Sequence, residues 1–510
     1  MIDTIKIKEK IMTSKTVDKI LYDQPFDHKE FGSERNRIPA LYTLNDGSVM
    51  AGADIRYSHG SDSPNNIDIA VAISKDGYTD WEYSMVNHFD DYMDTTTATD
   101  SASFIDSAIV QSETGRIFML ADAQPSECGY LQAKTGTGYI ELNGKKYLLL
   151  TNGKNSDKLS SFGFYIGNFD GDFAPVYSRN DSKITEYSVD KEYCLYKNGE
   201  PIYADQKGTD GVKIHQNIFF SSAELKCYKT TYLWLRYSDD NGKTWSKPAI
   251  ISEQVKNEKE SFLGVGPGRG IAIKHNGKER IVFCVYDNNG LFKDPIFENA
   301  SAIYSDDNGE TWHRSNKIKI KSGLQKTSEA QLVKIEGKNY KALRMYARNL
   351  SNYIAYSDST DGGVTWTEFR ADRGLEGTKN CMVSLMETSK KIDGKQMILC
   401  SAGGSLNARA DGILRVGVTE DNGDVKWISK YHLNQGFFAY SCLTELSDGN
   451  FAVFYEDEAA HLKYTIFSVS SKGEINEING DNFDFKPDTS SKSIKLKKQI
   501  ANIKFKLGLM

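Results

Sequence analysis

Ser238-Asp-Asp-Asn-Gly-Lys-Thr-Trp245, Ser305-Asp-Asp-Asn-Gly-Glu-Thr-Trp312 and Ser359-Thr-Asp-Gly-Gly-Val-Thr-Trp366 spell one phrase, S-x-D-x-G-x-T-W. Decayed copies stand at Ser74-Lys-Asp-Gly-Tyr-Thr-Asp-Trp81 and Thr419-Glu-Asp-Asn-Gly-Asp-Val-Lys-Trp427, so five of the six tryptophans close a copy. Each copy reads as a hairpin corner: the aspartate caps backbone N–H groups, the glycine takes a positive φ, and the tryptophan packs beneath. The last four copies start at 238, 305, 359 and 419, steps of 67, 54 and 60 residues. Recurrence at that period, with little helical periodicity, predicts four-stranded blades around an axis. Runs such as 231–237, 280–286 and 450–455, β-branched and aromatic between turn residues, supply strands.

Between the copies at 74 and 238 the step is 164 residues, about 100 more than one blade needs. The stretch 131–215 carries Asn-Gly, Asp-Gly and Lys-Asn-Gly turns but no copy of the phrase, which reads as a β subdomain growing out of one blade. The expected fold is therefore all-β: a six-bladed propeller over 31–130 and 216–480, with a small β-rich insertion at 131–215. An N-terminal extension over 1–30 and a lysine-rich, solvated tail over 481–510 complete the division.

Composition narrows the function. A net charge of −6 argues against nucleic acid, and no apolar run reaches membrane-spanning length. Residues 1–15 alternate charged and apolar side chains and lack a secretory apolar stretch, so either the protein stays inside or a leader has been trimmed. Seven cysteines without a C-x-x-C pair form neither a disulfide framework nor a zinc motif. The phrase itself lacks the first ligand and the distal glutamate of a calcium loop. Gly264-Val-Gly-Pro-Gly-Arg-Gly270 lacks the Lys-Ser/Thr of a phosphate loop and no helical pattern follows it. No metal, no cofactor and a monomer are expected.

The chemistry-bearing residues stand outside the repeats. They are Asn36-Arg37-Ile38-Pro39, the loop from Arg56 through Asp62 to Asn66, Ser328-Glu329-Ala-Gln331, Met345-Tyr-Ala-Arg348, Leu406-Asn-Ala-Arg409 and Tyr440-Ser-Cys-Leu443. With the repeats in order, the G-P-G-R-G run and His215-Gln216-Asn217, residues 30 to 470 resemble the bacterial sialidases (exo-α-neuraminidases), in particular the Gram-positive group with an inserted β domain.

That resemblance implies a substrate with a carboxylate on its anomeric carbon, the terminal α-linked sialic acid of glycoproteins, gangliosides or oligosaccharides. Arginine grips a carboxylate through two parallel donors without losing its charge. The resemblance assigns that grip to Arg37, Arg348 and Arg409. An anionic nucleophile would meet the substrate's own charge, and sialidases use a tyrosine where other retaining glycosidases use a carboxylate. Tyr440 matches by motif, and Glu329 matches the base that a phenol titrating near 10 requires. Asp62 matches the acid/base on the loop after Arg56, which is expected to touch the sugar's hydroxyls; Asp106 and Tyr286 match pocket residues. Read without the resemblance, Asp62 is an ordinary turn residue and Tyr440 a core tyrosine.

Departures from the family pattern are few. Three extra residues between Glu329 and Arg348 make Arg344 a rival for the second clamp position. Only a short stretch precedes Arg37, so no separate carbohydrate-binding module is expected ahead of it. Relatives that release 2,7-anhydro products carry a tryptophan about two dozen residues beyond the nucleophile; here the chain reads Glu456-Asp-Glu-Ala-Ala-His461. Hydrolysis with retention is the expected reaction, with intramolecular transfer or a non-catalytic lectin as alternatives.

Overall fold

At each perfect repeat the aspartate is wrapped by its own turn. Asp240 Oδ1 accepts the Thr244 amide at 2.9 Å, its Oδ2 accepts the Thr244 hydroxyl at 2.6 Å, and the Ser238 hydroxyl accepts the Gly242 amide at 2.8 Å. The same bonds recur at Asp307 and Asp361. Trp312 and Trp366 close their turns by donating the indole N–H to the carbonyls of Gly309 and Gly363, both at 3.0 Å.

The computed structural model describes residues 22–478 except 27–29, 34, 58, 92–97, 99, 154–157, 289–297, 378–379 and 459–460. The lysine-rich tail and most of the N-terminal extension lie outside the described residues. Six sheets form the propeller. Blade 1 runs Asn36–Thr43, Val49–Arg56, Ile67–Ser74 and Glu82–Asn87. Blade 2 takes Ser103–Gln111, Ile117–Gln124, Tyr232–Ser238 and Ala249–Ile250. Blade 3 is built on Phe262–Val265, Lys278–Asn288, Glu298–Ser305 and His313–Arg314. Thr327–Glu336, Lys341–Asn349, Tyr353–Ser359 and Arg370–Glu376 make blade 4. Blade 5 comprises Ser384–Ile392, Lys395–Gly403, Ala410–Thr419 and Val425–Phe437. Ser441–Glu445, Phe451–Glu458, His461–Val469 and Ile475–Glu477 make blade 6.

Antiparallel pairing within a blade places the start of its first and third strands, and the end of its second, at one end of the ring. Every repeat follows a third strand, so the repeats collect at the opposite end. Inner strands such as Val49–Arg56 are buried along their whole length because neighbouring blades cover both faces. Val49–Ala53 is accordingly a continuous apolar run, and only the cavity end of the strand carries charge, at Asp54 and Arg56. The ring closes between blades 1 and 6, whose side chains share one apolar core including Leu41, Ala51, Phe454 and Tyr464, and the Thr43 amide donates to Thr444 Oγ1 at 3.0 Å.

Between the second and third strands of blade 2 stands an eight-stranded sheet. It begins with Tyr139–Leu142 and takes its last strand, Lys226–Cys227, antiparallel to Lys145–Thr151. Its Leu148, Val176, Val189 and Leu195 join Phe104 and Trp234 of blade 2 in a single core, so the insertion is docked through apolar burial.

The glycine-rich run has a packing role. Gly268–Arg269 pairs in parallel with Ala108–Ile109 of blade 2, Pro267 O accepts Gln331 Nε2 of blade 4 at 2.6 Å, and Arg269 Nη1 donates to Leu443 O of blade 6 at 3.3 Å. One short segment thus meets first strands from three blades and fills the axis. A Cβ on Gly266 would lie 2.9 Å from Ala330 O, so only glycine fits there.

Gly242 holds φ at +82°, and a Cβ there would lie 2.5 Å from Met50 Cε and 2.7 Å from Ile73 Cδ1. Gly242→Ala is expected to lower stability by about 1–3 kcal/mol in urea titration without changing the far-ultraviolet dichroism; an unchanged midpoint would show that the repeat turns do not brace the blades.

Candidate active site

The end of the ring opposite the repeats holds a cavity of about 460 Å³. Three of its walls are made by strands that break register there. The first strands of blades 1, 2 and 4 shift between Arg37 and Ala40, between Ile105 and Ala108, and between Thr327 and Ala330. A bulge re-aims the side chains beside it, and Arg37, Asp106 and Glu329 sit at these three. Two of the bulges carry residues in the left-handed region, Ile38 at φ 56° and Asp106 at φ 61°. A β-branched residue pays for that conformation in strain, which is held only where the surroundings enforce it.

Tyr440 enters just ahead of the first strand of blade 6 and donates its hydroxyl to Glu329 Oε1 at 2.5 Å. Arg348, from the second strand of blade 4, spans the pair: its Nη1 lies 2.6 Å from Glu329 Oε2 and 3.1 Å from the Tyr440 oxygen. The guanidiniums of Arg37 and Arg409 stand over the Tyr440 ring, 5.8 and 5.5 Å from its centroid. Burial and the Glu329 carboxylate push the Tyr440 phenol well above its ordinary value, against the pull of Arg348 and Arg409. The phenol is therefore neutral at rest, with an ionisable acceptor already bonded to its proton.

Arg37 is fastened from behind. Its Nε donates to Glu456 Oε1 at 3.0 Å, and the same oxygen accepts the Ile38 amide at 3.1 Å, which fixes the strained Ile38. Glu456 is fully buried. On the opposite side Arg37 Nη1 reaches Asp62 Oδ1 at 3.3 Å. Arg56 grips that same oxygen at 2.7 Å and Asp54 at 2.8 Å, and is itself fully buried. Arg56 thus meets the cavity only through Asp62. The Asp62 side chain is 67% exposed, open to cleft water yet ringed by protein. Its place in the cleft raises its carboxyl, but Arg56 and Arg37 outweigh this and hold it below the usual carboxylate range. Among the described residues Arg409 is the least tied of the cavity arginines, with one long bond to Asn380 O at 3.4 Å; Asn380 Oδ1 also accepts Arg348 Nε at 3.1 Å.

Asp106 and Tyr286 both line the cavity. Burial and the neighbouring Asp54 carboxylate push the Asp106 carboxyl well up. Of the nine residues expected at the site, eight line the cavity and Arg56 stands one layer behind. Arg344 lies elsewhere: it forms a buried two-point pair with Asp358 at 2.6 and 2.9 Å. The sequence reading missed Glu456, Asn380 and the lining residues Tyr130, Phe262 and Glu298. Glu456 had one visible signal, an acid directly after the apolar run Phe451–Tyr455.

Fold and site together define an Asp-box propeller with an arginine-lined cavity, and residues 207–453 match the model of the BNR repeat-like domain. The chain belongs to the sialidase family. It is 33% identical to the anhydrosialidase of Macrobdella decora over 82% of this chain and 57% of that one, and so spans little over half the leech protein's length. It is 29% identical to sialidase B of Streptococcus pneumoniae over 89% of this chain and 67% of that one. The crystal structure of the intramolecular trans-sialidase from Ruminococcus gnavus in complex with oseltamivir carboxylate superposes with a TM-score of 0.76, at 32% identity over 86% of this chain and 95% of that one.

The two kinds of arginine should separate in stability measurements. Arg344→Met removes the two-point partner of the buried Asp358, leaving it Tyr340 and Arg370 at 3.0 and 3.5 Å, and is expected to cost about 3 kcal/mol in denaturant titration. Arg409→Met, which relieves crowding of like charge, is expected to cost less than about 1 kcal/mol or to stabilise. Equal losses would mean that the cavity arginines brace the fold.

Proposed function

We propose that this chain is an exo-α-sialidase that releases terminal α-linked sialic acid with retention, through a covalent tyrosyl–sialyl intermediate. The observation that carries the reading is the hydrogen-bonded Tyr440–Glu329 pair set among Arg37, Arg348 and Arg409 and faced by Asp62. A purely binding pocket for an acidic sugar needs the arginines but gains nothing from a carboxylate holding a phenol's proton.

The arginines would take the substrate's carboxylate and fix the anomeric carbon near Tyr440 Oη. As Tyr440 attacks, its proton passes to Glu329; the glycosidic C–O bond breaks and the leaving oxygen takes a proton from Asp62. Asp62 is ionised in the free protein because Arg37 and Arg56 hold it so. A substrate anion engaging Arg37 would offset that pull and raise the Asp62 carboxyl, arming it as an acid when the site is filled. In the second step Asp62 deprotonates water, which attacks the anomeric carbon, and Tyr440 recovers its proton from Glu329.

Tyr440→Phe is expected to lower turnover of a fluorogenic sialoside by at least about 1,000-fold; full activity would refute the nucleophile. Asp62→Asn should slow sialyllactose cleavage about 100-fold or more, and an aryl sialoside with a good leaving group far less. Equal losses on the two substrates would remove Asp62 from the acid role.

Intramolecular transfer is the second reading, favoured by the names of the leech and Ruminococcus gnavus relatives. Against it, no tryptophan lines the cavity among the described residues, so no indole there shields the intermediate from water. Mass analysis of the released sugar distinguishes the two, because the anhydro product is one water lighter.

A further inference from the structure

Outside the cavity, at the root of the inserted sheet, three side chains of metal-binding type converge. We propose that Asp190, Cys194 and His215 form a zinc site that ties the Asp190–Cys194 turn of the inserted sheet to the neighbouring strand Lys213–His215.

A carboxylate oxygen, the Cys194 sulfur and an imidazole nitrogen lie within 4.8 Å of one another, and all three residues are part-exposed, so an ion can enter. Asp190 ends the strand Ile184–Asp190, and its Oδ1 accepts the amides of Glu192 and Cys194, both at 2.9 Å. The turn therefore wraps the carboxylate and brings the sulfur beside it. His215 ends the strand Lys213–His215 and places Nε2 2.8 Å from Leu195 O. In the tautomer with the proton on Nε2 that carbonyl accepts it, and Nδ1 keeps a lone pair for a cation.

Metal-bound side chains are usually held by such outer partners, and here each of the three has one. Leu195 O holds the imidazole, Asn217 Nδ2 lies 3.7 Å from Cys194 Sγ, and the Tyr196 hydroxyl bonds the Asp190 carboxylate. Thiolate, imidazole and carboxylate together suit zinc and not the all-oxygen ions calcium and magnesium, and three protein ligands leave the fourth position to water. The sequence reading set zinc aside for want of a paired-cysteine motif, but this site needs only one cysteine. It also gives His215-Gln216-Asn217 a task, one residue as ligand and another as the sulfur's partner.

Placement indicates what the ion does. Glu192, inside the ligand turn, takes Arg236 of blade 2 at 2.6 and 3.2 Å, and Tyr193 packs on Trp234 with ring centroids 5.5 Å apart. Zinc would lock this turn, already gripped by blade 2, to the strand ending at His215. None of the three ligands lines the cavity, so the clamp acts on stability and not on turnover.

The full chain, stripped with EDTA and returned to zinc chloride, is expected to retain one zinc per chain by atomic absorption and to melt at higher temperature, with sialoside turnover unchanged. Cys194→Ser and His215→Ala should each retain none and gain no thermal stability from zinc. Of the seven cysteines only Cys194 is not fully buried, and burial and Asp190 push its thiol up to about 12; prolonged iodoacetamide treatment at alkaline pH should label it in stripped protein, and zinc should slow that labelling about tenfold. The proposal is overturned if wild type retains no zinc, or if both variants retain as much as wild type. Should a variant fail to fold, wild-type alkylation decides: labelling that zinc leaves unslowed also overturns it.

Discussion

Like charge crowded into a small space is the constraint on which this structure turns. Three guanidiniums face one cavity, and each repels the others. Carboxylates are distributed to offset that repulsion without filling the cavity. Glu456 sits beneath Arg37, Glu329 bridges Arg348 and Tyr440, and Asp62 is shared by Arg37 and Arg56. Arg409 is left with a carbonyl at 3.4 Å. The positive charge that remains uncompensated at the surface of the cavity is the attraction for an anion, fixed in place before the anion arrives.

Ordinary strands could not deliver this arrangement, because both faces of a blade are covered by its neighbours and a regular strand would send its side chains between blades. Register breaks at equivalent ends of three first strands turn the side chains into the cavity. The axial plug stands directly below: Gly268 pairs beside Ala108, Pro267 binds Gln331 and Arg269 binds Leu443, each two or three residues along its strand from Asp106, Glu329 and Tyr440.

Much of this was legible from the chain. Repeats of Ser238 type announce their turns because every bond in the turn is made within eight residues, so local sequence specifies it. Arg37, Glu329, Arg348, Arg409 and Tyr440 were visible through motif resemblance, and the structure brings them together. Arg56 is fully buried behind the cavity, and Arg344, the rival to Arg348, pairs away from it. Whether an arginine lines the cavity depends on its partners: Arg56 is taken by Asp54 and by Asp62 of the loop that follows it, Arg344 by Asp358 of the neighbouring strand. Glu456 was hidden for the same reason: it is 419 residues from Arg37 in sequence and becomes its partner only when blade 6 closes against blade 1. Bulges leave no apolar-pattern signature, so Ile38 and Asp106 could not be recognised as strained.

The sheet lodged within blade 2 has a bearing on the order of assembly. Ala123 pairs with Tyr232, so the two central strands of that blade meet only after the intervening chain has been synthesised. Linking distant segments through a floppy loop carries an entropic penalty that grows with the loop's length, whereas a compact, already structured loop brings its ends close at little extra cost. A structured insertion therefore brings the Tyr232–Ser238 strand beside Ile117–Gln124 at a far smaller closure cost than an unstructured loop of the same length would carry.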